Sequence, residues 1–134
     1  MVKRKDKIMY KSVIKEASCE ISKIEAVALK NMTDAVGIDT IINDSVEGYA
    51  VIYPEKYVIV EVHNDMARDS QDYEVLIIVD KDGTKYKTGS NAFIRSFLDI
   101  FEELGGEEGW GLKVFGRESK NYNGKKFLTC SVVF

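Results

Sequence analysis

The sequence predicts a mostly β, α+β protein, and three observations carry that expectation. Apolar runs rich in Val, Ile and Tyr recur from residue 48 onward, two small-residue turn signals divide them into hairpins, and one strongly amphipathic helix stands between the hairpins. The 134 residues fit one domain with a continuous core, and their 45% hydrophobic and 31% charged residues with a single Pro argue against disorder.

Taken in order, Ser18–Lys30 lets strand and helix compete; Cys19 and Ile21, then Ile24, Ala26 and Ala28, alternate while Val27 and Leu29 fall out of phase, and the reading adopted is strand. Thr33–Asn43 reads as a short helix capped by Thr33, with Val36, Ile41 and Ile42 on one side. Gly48–His63 (GYAVIYPEKYVIVEVH) is a strand pair or one long strand bent at Pro54, which cannot donate to a ladder. Tyr73–Asp80 and Thr84–Thr88 form a hairpin through Asp82-Gly83. Ser90 then caps a helix whose Phe93, Ile94, Phe97, Leu98, Phe101 and Leu104 recur at three- and four-residue spacing until Gly105-Gly106 stops it. Trp110–Gly116 and Lys125–Phe134 make a second hairpin across Arg117–Gly124, with Asn123-Gly124 supplying the turn.

That order, with one helix (about 90–104) between a third and a fourth strand, is the order of a five-stranded Greek-key OB-like barrel closed at the bottom by its helix. Residues 48–134 would be the core of the single domain and 1–47 an N-terminal extension with a strand and a short helix.

Charge is unevenly spread. Lys3, Arg4, Lys5, Lys7, Lys11 and Lys15 face only Asp6, and from residue 113 on five cations face only Glu118. The middle of the chain therefore holds the acid excess behind the net charge of −3, and an anionic partner remains compatible with it. No apolar run approaches the roughly 18 residues of a membrane span, and no apolar segment follows the N-terminal cations, so a cytoplasmic protein without membrane association is expected. Cys19 and Cys130 lack metal or redox spacing and read as reduced packing residues.

Catalytic chemistry finds little support. His63 is the single histidine and reads as a strand end, the carboxylates at 102, 103, 107 and 108 read as a solvated helix side, and no cofactor is implied. Lys87-Thr88-Gly89-Ser90 precedes a helix but lacks a full phosphate-loop pattern, so capping is its first reading. What stands out is the last hairpin, where Trp110, Phe115 and Tyr122 interleave with Lys113, Arg117, Lys120, Lys125 and Lys126. Single-stranded nucleic acid takes this mixture, because rings stack on bases while cations track phosphates. With Lys87, these residues are the candidate nucleic-acid-binding set, although Trp110 and Phe115 taken singly also read as core.

The stretch YKTGSNAFIRSFLDIFEEL, followed by WGLKVFGRESKNYNGKKFLTCSVV, resembles small single-stranded DNA-binding proteins encoded by phages and prophages of Gram-positive bacteria. In that family a TGS-type helix start precedes a final SKNYxGKxFLTC-like hairpin, and the likeness covers about residues 84–134. The resemblance implies an OB-type fold, binding without sequence preference, and a replication or recombination role in the host cytoplasm, with replication or recombination proteins as further partners. The strand SVVF stands where housekeeping relatives carry an acidic partner-binding tail, so recruitment through such a tail is not implied. Self-association is left open. The competing expectation is a small protein-binding factor such as a phage inhibitor of a host enzyme, which the acidic middle segment favours; an enzyme with an unfamiliar site ranks third.

Overall fold

The computed structural model describes residues 10–32, 34–65, 72–118 and 126–134. In chain order these form β1 (Tyr10–Ala17), α1 (Lys23–Asn31), β2 (Val36–Gly37), α2 (Ile38–Asn43), β3 (Tyr49–Ile52), β4 (Pro54–Asn64), β5 (Asp72–Asp80), β6 (Lys85–Thr88), α3 (Asn91–Leu104), β7 (Gly111–Glu118) and β8 (Lys126–Val133). The strands make two sheets, one of five in the order β1-β4-β5-β6-β2 and one of three in the order β3-β7-β8.

The bend at Pro54 divides one long extended segment between the two sheets. β3 pairs antiparallel with β7, while β4 pairs with β1 on one side and β5 on the other. The crossing point is held by Asp80, whose buried carboxylate accepts the Tyr53 N–H, and by the Lys81 N–H donating to the Tyr53 carbonyl at 2.9 Å. Burial pushes the Asp80 carboxyl above the usual carboxylate range, against the opposing effect of the Tyr53 N–H bond.

β4 and β5 show why their sequences do not alternate cleanly. Tyr57, Ile59, Leu76 and Ile78 enter a core shared with α2, α3 and the three-stranded sheet, whereas Val58, Val60, Val62, Val75, Ile77 and Val79 enter a second cluster with Leu29 of α1. A sheet buried on both faces needs a near-continuous apolar run. α3 closes the first core as its periodicity predicts: Phe93 and Phe97 are fully buried, Tyr57 meets Phe97 and Phe101 edge-on at 5.3 and 5.2 Å, and the Ser90 hydroxyl accepts the Phe93 N–H. The β5–β6 turn passes through Gly83 at φ 92°, where an L side chain would be strained.

Three expectations are corrected. The strands do not close into a five-stranded barrel; β6 has β2 as its second neighbour, in parallel, so the edge through which it would meet β8 is occupied by the N-terminal segment. Within the stretch expected as an N-terminal extension, β1 and β2 form the two outer strands of the larger sheet. The segment read as a strand at Ser18–Lys30 contains α1 instead. The Ser22 hydroxyl caps it by accepting the Glu25 N–H at 3.1 Å, the S-x-x-E spacing of a capping box, and Ala26, Ala28 and Leu29 favour helix over strand. The second helix starts later than expected, at Ile38 with Gly37 as its cap, and Thr33 lies outside the described residues.

Candidate nucleic-acid interface

The three-stranded sheet has one face in the core and one face outward. Inward go Ile52, Leu112, Val114 and Cys130, with Ala50, Leu128 and Val132 packed beside them. Because side chains alternate along a strand, the opposite face receives Tyr49 and Val51 from β3, Gly111, Lys113 and Phe115 from β7, and Thr129, Ser131 and Val133 from β8. No carboxylate belongs to this set.

Register brings the aromatic rings together. Tyr49 stands directly opposite Phe115, and Lys113, opposite Val51, places its Nζ 4.5 Å from the Tyr49 ring centroid and 5.4 Å from that of Phe115. Lys113 has no carboxylate partner among the described residues, and its charge lies against two ring faces. A third ring comes from Tyr53, just beyond β3. A Cβ on Gly111 would stand 2.9 Å from the Tyr53 ring, so glycine is what lets that ring lie across β7. Tyr49 is 38% exposed and Tyr53 50%, as befits rings with a free face. Asp80, through the Tyr53 N–H, fixes the backbone that carries the third ring.

The residues expected from sequence are distributed as follows. Lys113 and Phe115 are on this face. Trp110 is not: only 5% exposed, it packs edge-on against Phe101 at 6.3 Å and donates its Nε1–H to the Glu107 carbonyl, so it offers no ring face to a base. Arg117 and Lys126 lie on the paired strands β7 and β8, and Lys120, Tyr122 and Lys125 lie outside the described residues. Lys87 sits on β6, in the other sheet. Sequence reasoning passed over Tyr49 and Tyr53; the signal was the spacing of Tyr49, Val51 and Tyr53, alternate residues that share one strand face.

Within the KTGS tetrad Ser90 caps α3, and Thr88 Oγ1 accepts the Ser90 N–H at 3.1 Å. His63 bridges Asp65 and Asp72 at 2.6 and 2.7 Å, and these carboxylates, Asp72 foremost, raise its pKa; among the described residues no group of three metal-ligating side chains forms. Cys130 is a buried packing residue whose thiol is pushed up to about 12 by desolvation, whereas Cys19, expected to be packed, is exposed between β1 and α1. No helix among the described residues is long and apolar enough to cross a membrane. Compared with known proteins, the chain matches no family model, no curated protein and no solved structure.

Proposed function

We propose that this chain is a non-catalytic, sequence-nonspecific single-stranded DNA-binding protein that engages the strand on the outer face of its three-stranded sheet, in replication or recombination. The observation that supports this most is the Tyr49, Lys113, Phe115 cluster: two rings and a cation on one sheet face, with no carboxylate among the described residues of that face. Bases stack on such rings for about 1–3 kcal/mol each and cations follow the phosphates, with little sequence preference because every base has a π-face. The connectivity agrees with an opened OB-like arrangement, in which a bent first strand serves both sheets and the helix falls between the third and fourth strands of the core. Arg117, Lys120, Tyr122, Lys125 and Lys126 extend the proposal along the chain by their chemistry.

The test is a titration of fluorescein-labelled oligo-dT at two salt concentrations. The parent should bind more weakly at high salt, Lys113→Ala should reduce affinity and flatten the salt slope by about 0.7, and Phe115→Ala should weaken binding at an unchanged slope. Absence of binding at low salt, or variants that bind like the parent, would count against this reading. A second reading, a protein-binding factor, draws on α1, where Ile24 (86% exposed) and Val27 (54%) stand one turn apart on its solvent side.

A further inference from the structure

Two adjoining clefts lie beyond the end of the sheet where Tyr49 meets Phe115. The nearer, of about 340 Å³, runs between Gly48, beside Tyr49, and Gly116, beside Phe115, to Leu128 and Asp39. The larger, of about 550 Å³, shares Leu128 and Asp39 with it and continues past Asn31 and Tyr73 to Lys87. Its volume falls within the roughly 300–1,000 Å³ of clefts that hold small molecules.

The larger cleft carries charge of both signs. Lys87 and Asp39 both line it, yet neither has a hydrogen-bonding or ionic partner among the described residues, and they do not pair with each other. Neighbouring Lys85, by contrast, is paired with Asp34 at 3.0 Å. Gly37 makes room for the carboxylate, since a Cβ there would stand 2.8 Å from Asp39 Oδ1. The α3 end that borders the cleft is already capped by Ser90 and Thr88, so its free N–H groups are not the attraction.

We infer that the larger cleft is a nucleotide subsite, reached from the sheet face through the smaller cleft. One unit of the strand places its phosphate at Lys87 and its base beside Tyr73, with Asp39 accepting from the base N–H groups. A ring and a carboxylate for the base, with a cation for the phosphate, match a nucleotide better than they match a plain anion, which Asp39 would repel, or an apolar ligand. The inference rests on the single-strand reading above and extends the bound strand from one sheet to the other.

Amide spectra of the nitrogen-labelled full chain, titrated with oligo-dC, separate the two ideas. Shifts are expected at Lys113 and Phe115 and also at Gly37, Gly89 and Ser90. Lys87→Gln should suppress the second group while sparing the first, lower affinity about threefold to tenfold and reduce the salt slope by about 0.7. Tyr73→Ala should lower affinity with the slope unchanged. Shifts confined to the sheet face, or a Lys87→Gln variant with the parent's affinity and slope, would overturn the subsite and leave the sheet-face reading standing. No shift anywhere would overturn both.

Discussion

Asp80 shows how one residue ties stability to the candidate site. Its carboxylate is buried beside the crossing of the two sheets, where it accepts the Tyr53 N–H that positions the third ring of the aromatic face. Because burial raises its pKa, the ionised form is what folding penalises. That penalty operates when the folded group is ionised, above its raised pKa, and vanishes below the ordinary carboxylate value, where folded and unfolded chains both carry the proton. Asp80→Asn keeps an acceptor for Tyr53 and removes the charge. Its Tm should therefore exceed the parent's near pH 7, and the gain should disappear as the melts approach a pH of about 4. A lower Tm for the variant at neutral pH would show that the charge itself holds the crossing.

At the scale of elements, α3 and α1 illustrate opposite cases. α3 carries its apolar face in a period of three and four, begins at a side-chain cap and ends at paired glycines, so local chemistry and tertiary packing agree. Phe97 is fully buried under it and contacts Tyr57 and Phe101. Phe97→Ala should cost about 3–5 kcal/mol by opening a cavity between the sheets, and half-buried Leu98→Ala should cost less. A thermal midpoint unchanged by Phe97→Ala would remove α3 from the core. α1 has only Leu29 fully buried, so its apolar pattern is weak and ambiguous. Its helical nature is legible in the S-x-x-E cap at Ser22, a signal independent of periodicity.

On the scale of the whole molecule, the bent β3–β4 segment and the core beneath α3 couple the two sheets. The first core takes Tyr57, Ile59, Leu76 and Ile78 from one sheet and Ile52, Leu112, Val114 and Cys130 from the other, with the single tryptophan, Trp110, among its buried residues. Neither sheet can lose that core alone. Unfolding followed by Trp110 fluorescence and by far-ultraviolet circular dichroism should therefore give coincident transitions; two separated midpoints would mean that the sheets unfold independently. The β5–β6 hairpin, the bend at Pro54 and the capped helix α3 were determined by the sequence itself, because turn chemistry, proline and helical periodicity act over a few neighbouring residues, while the expected Asn123-Gly124 turn lies outside the described residues. Phe115 and Lys113 were legible as candidates for the same reason, through their place in a strand of mixed aromatics and cations. Only the tertiary structure decided that Trp110 is core, that Tyr49 joins Phe115 and Lys113 across β3 and β7, and that β2 occupies the edge of β6 and leaves the barrel open. These outcomes depend on strand register and on competition for a sheet edge, contacts between residues far apart in the chain that no local pattern specifies.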